Sequence, residues 1–191
     1  MLVNEKKFDA PAYSVEHLFD VPNYKRLIED FTAGNDAAGL ESYLKFTATG
    51  DEQANLARTY LVIDKATGEL ACYFSLRTGL ITIQVAGDDF DSLPAIELSN
   101  FAVNDAYRKK HKETKKLGVH IFDVFILPIA RFMAQYIGAN SLYIYALPFN
   151  KLIEHYATMG FSMLPEDQEK FVQSHVKPKY DAGCRFMYQT L

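Results

Sequence analysis

The stretch from Ile96 to Phe161 constrains this chain more than any other. It reads as a strand (Ile96–Val103), a basic loop (Tyr107–Lys116) and a long apolar helix opened by Gly118. A second strand (Ser141–Leu147) follows, then a short helix ending in Tyr156-Ala157-Thr158-Met159-Gly160-Phe161. A helix N-terminus reached from a strand presents backbone N–H groups and a positive dipole end, which suits a phosphate. Tyr156, four residues before Gly160, adds a candidate acid.

The flanking segments extend this pattern. Thr59–Ile63 and Leu70–Leu76 read as strands joined by Asp64-Lys65-Ala66-Thr67-Gly68-Glu69, a hairpin with its glycine in the turn. Leu80–Val85 reads as a further short β-branched strand and Asp88–Pro94 as a polar connector. Ser14–Phe31 has apolar residues at helical spacing, and Pro22 within it predicts two short helices rather than one. Leu40, Tyr43, Leu44 and Ala48 predict a short amphipathic helix. Pro128 predicts a kink or split in Val119–Ile137, with Gly138 as its C-cap. Cys184–Gln189 reads as a last strand with Phe161–Leu164 as its partner, and Pro165–Gly183 between them as polar and partly helical. A hairpin beside a strand–helix–strand unit implies an α/β (α+β) fold. Its mixed sheet has helices on its faces, in one domain over residues 1–191.

Charge narrows the ligand class. The chain carries a net −4; Tyr107–Lys116 holds six Lys/Arg against one Glu, so it contributes +5 and leaves the remainder at −9. Broad nucleic-acid faces spread basic charge widely. One basic segment ahead of a helix fits a small polyanion better, and a solvated lysine-rich loop is the plain alternative. The N-terminus lacks the apolar stretch of a signal peptide, and no apolar run reaches the roughly 20 residues of a membrane span. The expectation is a cytoplasmic protein without a membrane partner. Cys72 and Cys184 have no metal-type spacing and read as reduced thiols, with a disulfide between them left open. The five histidines form no ligating pattern, so no metal site is expected.

Three pieces resemble the GNAT superfamily of acyl-CoA-dependent N-acetyltransferases. Ile96-Glu97-Leu98-Ser99-Asn100-Phe101-Ala102-Val103 is similar to the family's central strand with its Ala-Val ending. Tyr107-Arg108 leads through the basic segment to Gly118. Asn150 followed by Tyr156-Ala157-Thr158-Met159-Gly160-Phe161 is similar to the family's Tyr-x-x-x-Gly-Phe ending, the most specific of the three. The resemblance covers roughly Leu40 to the C-terminus. The loop departs from the family's Arg/Gln-x-x-Gly-x-Gly/Ala: Glu113/Lys116/Gly118 or Lys115/Gly118/His120 keeps one glycine of two. Leu40–Ala48, Thr59-Tyr60-Leu61-Val62 and the long segment before the central strand resemble the layout of one branch, the toxins that acetylate aminoacyl-tRNA.

The resemblance implies a mostly antiparallel twisted sheet with helices on both faces and acetyl-CoA as cosubstrate. It implies acetyl transfer to a primary amine by direct attack in a ternary complex. Partners would be acetyl-CoA and the amine, with tRNA only under the toxin alternative, against which the acidic body weighs. A non-catalytic acyl-CoA-binding module is the other alternative, suggested by the altered glycine motif, and a homodimer stays open.

Residue roles follow from the same resemblance. Gly118 with the amides of Leu117, Val119 and His120 would bind the pyrophosphate, or Gly118 is a turn glycine. Arg108, Lys109, Lys110, Lys112, Lys115 and Lys116 could reach the cofactor's phosphates, two or three of them in function, with Arg108, Lys115 and Lys116 the leading candidates. Phe101, Ala102 and Val103 would pair backbone to backbone with the pantetheine arm, or serve the core alone. Tyr156 is the candidate general acid, since a phenol is protonated at neutral pH and can donate to a departing thiolate. Aromatic packing at a helix end is its plain alternative. Glu97 is the candidate base through water, or a structural carboxylate paired with a residue such as Arg77. Asn150 would hydrogen-bond the cofactor arm or cap its helix. Pro165–Gly183, with His175, Lys177, Lys179 and Tyr180, forms an acceptor-side lid or a surface excursion.

Overall fold

The computed structural model describes residues 10–87, 89–175 and 183–191. Among the described residues, seven strands hydrogen-bond in one sheet in the order β1-β2-β3-β4-β5-β7-β6. They are β1 (Tyr13–His17), β2 (Arg58–Asp64), β3 (Leu70–Ala86), β4 (Asp89–Val103), β5 (Ser141–Ala146), β6 (Ser162–Met163) and β7 (Arg185–Thr190). The β1–β2, β2–β3, β5–β7 and β6–β7 ladders are antiparallel and β4–β5 is parallel, so the sheet is mixed and mostly antiparallel. The chain divides into two compact units, residues 1–77 with 100–129, and 78–99 with 130–191.

In the first unit the strand β1 corrects the expectation of a helix from Ser14. Val15, Leu18 and Phe19 do have helical spacing, but residues 13–17 instead pair with β2 at five positions, from Tyr13↔Asp64 to His17↔Tyr60. That ladder satisfies the backbone polar groups across 43 or more residues of sequence, which local periodicity cannot anticipate. A 3₁₀ turn (Leu18–Asp20) and α1 (Tyr24–Glu29) follow. The expected amphipathic helix is a longer helical run: α2 (Ala38–Ser42), a π turn (Tyr43–Thr47) and α3 (Ala48–Gln53). Leu44 and Ala48 from it are buried with Leu18, Ile28, Phe31, Leu61, Tyr73 and Ala102. Each large apolar side chain withdrawn from water here contributes about 1.5–3 kcal/mol.

The helix expected over Val119–Ile137 starts at Leu117, one residue ahead of Gly118. It runs through α5 (Leu117–Ile121), a π turn (Phe122–Ile126) and α6 (Leu127–Ile137). Pro128 does not split it. The wide turn lies just before the proline, where the missing N–H would have removed a bond to a carbonyl one turn back. These 21 residues are long and apolar enough to cross a membrane by length and composition, which corrects the expectation that no run reaches that length. Ile121, Phe122, Phe125, Ile126, Ile129 and Ala130 form a buried stripe at helical spacing, so packing in the protein accounts for the apolarity of that face.

In the second unit two further expectations change. Leu80–Val85 is not a separate strand but the continuation of β3, and residues 89–94 are the start of β4 rather than a connector. Gly87, at φ +56°, supplies the turn between them. The polar sequence Asp89–Pro94 reads as loop because this part of β4 is mostly solvent-facing and shows no apolar alternation. The terminal strands pair as expected, with β7 lying between β5 and β6. The core here gathers Ile81, Ala95, Tyr143, Leu164, Val172 and Phe186. The helix α8 (Glu166–His175) accounts for the helical part of the segment before β7. Lys177, Lys179, Tyr180 and the His175 side chain, named above for a lid, lie outside the described residues. Cys72 and Cys184 are both buried, and no disulfide joins them.

Candidate functional site

Tyr156 sits near the end of α7 (Asn150–Thr158), and the sequence around it has a local structural cause. Gly160 takes φ +90°, its N–H donates to the Ala157 carbonyl at 3.1 Å, and the Phe161 N–H reaches back to the Tyr156 carbonyl at 3.2 Å. These two bonds close the helix as a Schellman motif, in which only glycine adopts the left-handed turn at little cost. The motif brings an apolar pair together across its ends, here the Tyr156 and Phe161 rings at 5.8 Å and 75°. The spacing Tyr-x-x-x-Gly-Phe is thus the spacing that fixes the base of the Tyr156 side chain.

Glu97 is 3% exposed on β4. The Tyr143 phenol donates to its Oε2 at 2.8 Å, so the carboxylate keeps a strong acceptor role inside the protein. Glu97 and Tyr143 are the last matched pair of the parallel β4–β5 ladder, which runs Ala95↔Ser141, Ile96↔Leu142, Glu97↔Tyr143. The sequence marks neither Tyr143 nor its role, because a parallel register depends on a crossover that no local pattern encodes.

The basic segment is not all loop. Residues 105–110 form α4 (Asp105–Lys110), whose N-cap Asn104 accepts the Ala106 N–H at 3.1 Å and donates to the Leu70 carbonyl at 2.8 Å. Arg108 and Lys109 both pair with Asp105, one turn back, and Lys110 pairs with Glu69 at 2.6 Å. The Lys109 ammonium, with Arg108 beside it, holds the Asp105 carboxyl below the ordinary aspartate value. Hydrogen bonds from Lys110 and then His111 do the same for Glu69. His111 meets Glu69 at 2.8 Å and Glu113 at 3.4 Å, and the Glu69 bond raises its imidazole above the ordinary histidine value. Arg108, expected to face a phosphate, is therefore engaged with Asp105. Among the described residues Lys112, Lys115 and Lys116 have no carboxylate partner.

Behind α4 lies a buried tie. The Tyr107 phenol donates to Asp64 at 2.6 Å and lies 3.3 Å from the Tyr13 hydroxyl, while its ring stacks on His111 at 4.2 Å. Burial, then the bond to Asp64, pushes the Tyr107 phenol well up. Burial alone would raise the Asp64 carboxyl, but the Tyr107 hydroxyl and the Ala66 and Thr67 amides outweigh it and hold the carboxyl low. The β2–β3 turn thus holds the basic segment by two carboxylates, Asp64 and Glu69.

Lys116 adopts φ +57° and is the residue from which the long helix starts. The His120 N–H makes a helical bond to the Lys116 carbonyl at 3.0 Å, so the amides of Leu117, Gly118 and Val119 precede it and have no acceptor within the helix. Three amides with Lys115 and Lys116 beside them form a donor set that fits a pyrophosphate. Gly118 lies inside the first helical turn and has no positive φ. Ala102 is buried in the first unit's core, while Phe101 and Val103 are partly exposed on the alternate face. Asn150 is the first residue of α7 rather than its cap, which is Phe149, and it lies at the opposite end of the helix from Tyr156.

No family model and no curated protein sequence matches the chain. Solved structures do. A tyrosine-to-phenylalanine variant of KacT matches with a TM-score of 0.63 at 15% identity, over 94% of this chain and 95% of that one. AtaTR bound with AcCoA matches with a TM-score of 0.60 at 15% identity, over 95% and 94%. AtaT complexed with acetyl-methionyl-tRNAfMet matches with a TM-score of 0.59 at 16% identity, over 82% and 91%. At this identity the likeness is one of fold, and the fold is the GNAT-like one of these toxin structures.

Proposed function

We propose that this chain is an acetyl-CoA-dependent N-acetyltransferase acting on the primary amine of an aminoacyl-tRNA. The observation that carries the reading is the fold match along nearly the full length of both partners to AtaT, solved with AcCoA and with an acetylated aminoacyl-tRNA. In this reading the amides of Leu117, Gly118 and Val119, with Lys115 and Lys116, hold the pyrophosphate, while the His120 amide, expected there as well, is engaged by the Lys116 carbonyl. The backbone of Phe101, Ala102 and Val103 pairs with the pantetheine arm, and one of its N–H groups polarises the thioester carbonyl. Glu97 accepts through water the proton that the attacking amine gives up, and Tyr156 donates one to the departing thiolate. Burial pushes the Cys72 thiol up and Cys184 is buried as well, which favours direct attack over an acyl-enzyme. We place the protein in the cytoplasm, where both substrates occur and both thiols stay reduced.

A second reading keeps the transfer and changes the acceptor. The net charge of −4, and the engagement of half the basic segment by carboxylates, favour a smaller amine over tRNA.

Thermal unfolding with acetyl-CoA, CoA and ATP tests the cofactor. A ligand at about 100 times its Kd adds about 2.7 kcal/mol to the folded state, so acetyl-CoA and CoA raise Tm and ATP does not. No shift at millimolar acetyl-CoA refutes the reading. Expression in a bacterial host separates the acceptors: growth arrest relieved by Tyr156→Phe supports aminoacyl-tRNA, and unimpaired growth favours the smaller amine.

A further inference from the structure

We propose that Tyr143 is a positioning residue for Glu97, and that Gly79 exists as glycine to let it act. The inference rests on the acetyl-transfer reading and deepens it. Three observations meet at one point. The Tyr143 hydroxyl donates to Glu97 Oε2 at 2.8 Å. The two residues are directly paired where the β4–β5 ladder ends, so their side chains leave the sheet side by side. A Cβ built on Gly79 would lie 2.0 Å from the Tyr143 hydroxyl oxygen and 2.8 Å from the adjoining ring carbons. No side chain fits there while the phenol keeps its place.

The ring is fixed from its other side as well. Phe186, fully buried, stacks on Tyr143 at 5.3 Å and 27°, and Tyr145 meets it edge-on at 6.0 Å. Tyr143 is itself 5% exposed. A buried phenol clamped between a stacked ring and a glycine backbone has little rotational freedom, so its O–H is aimed before any substrate arrives. A carboxylate that must accept a proton needs one lone pair free and a defined direction for it. The Tyr143 bond fixes Oε2, and with it the plane and direction of the whole carboxylate. A plain structural pair would explain the bond, but it would not require an otherwise unfavoured glycine in the middle of a 17-residue strand.

The test compares Tyr143→Phe, Gly79→Ala, Glu97→Gln and the Tyr143→Phe/Glu97→Gln pair in steady-state transfer from acetyl-CoA to a panel of aminoacyl-tRNAs and small primary amines. Tyr143→Phe keeps the ring and removes only the donor. It lowers kcat about ten-fold, the value of one hydrogen bond to a charged acceptor, and leaves KM for acetyl-CoA unchanged. Gly79→Ala, which displaces the phenol, gives the same pattern. In the Glu97→Gln background Tyr143→Phe has no further effect on kcat, because the group it positions is gone. An active wild type with a Tyr143→Phe kcat unchanged, or lowered equally in both backgrounds, overturns the proposal alone. A Glu97→Gln enzyme with full kcat removes the base assignment and the positioning role with it. A wild type inactive on every amine refutes the acetyl-transfer reading itself.

Discussion

The same substitution, glycine to alanine, should have opposite signs at two positions on helices of this protein. Gly160 closes α7 at φ +90°. Its built Cβ meets only Gln189 Oε1 at 3.5 Å, an ordinary contact, so crowding is not the issue. The cost of alanine there is the left-handed backbone, about 1–2 kcal/mol. Gly50 lies in α3 with an unremarkable helical backbone and nothing within 4 Å of a built Cβ. Alanine there gains about 0.5–1 kcal/mol, because the unfolded chain loses freedom and the helix gains propensity. For a chain of this size about 1 kcal/mol moves Tm by about 2–4 °C. Thermal unfolding followed by circular dichroism should therefore show Gly160→Ala lowered by about 2–8 °C and Gly50→Ala raised by about 1–4 °C. Gly160→Ala should also lose transfer activity, since the Phe161–Tyr156 contact depends on that turn. A Gly160→Ala protein as stable as Gly50→Ala would refute the Schellman account of the Tyr156 motif.

Three further outcomes concern the charged groups of the first unit. Tyr107→Phe removes the donor to buried Asp64 and should cost about 1.5–3 kcal/mol in urea unfolding at neutral pH. Because the Asp64 carboxyl is held low, its contribution is complete above the ordinary aspartate value and is lost as pH falls through the lowered one; the variant should therefore show less loss than wild type below about pH 4. His111 has the opposite sign: its raised value stabilises below the ordinary histidine value and is lost as pH rises through the folded one. The protection factors of the 105–116 amides, which divide out the base-catalysed intrinsic rate, should fall as pH rises past neutrality, and His111→Gln should remove that fall. Replacing Lys115 and Lys116 together with alanine should weaken acetyl-CoA about ten-fold by calorimetry, and an unchanged Kd would remove them from the phosphate site.

What the sequence makes legible here is what local physics encodes. The β2–β3 hairpin is readable because Gly68 marks its turn, and α7 because its apolar spacing ends at a glycine. The stripe from Ile121 to Ala130 declares its helix for the same reason. Strand β1 is not legible, since its partner lies across more than 40 residues and its own spacing imitates a helix. Helix α4 hides behind its cations. Asp105 with Arg108 and Lys109 does stand at helical i, i+3 and i, i+4 spacing, a signal that charge counting overlooks. The Glu69 and Asp64 ties and the Tyr143–Glu97 bond arise only once strands and turns are placed, so no motif could announce them.

The most direct measurement is transfer of label from [acetyl-¹⁴C]acetyl-CoA to purified aminoacyl-tRNAs and a panel of primary amines, with wild type beside Tyr156→Phe. The account predicts labelled aminoacyl-tRNA with wild type and a rate at least about a hundred-fold lower without the phenol. Binding of acetyl-CoA with no transfer to any amine, or equal rates from the two proteins, would contradict it.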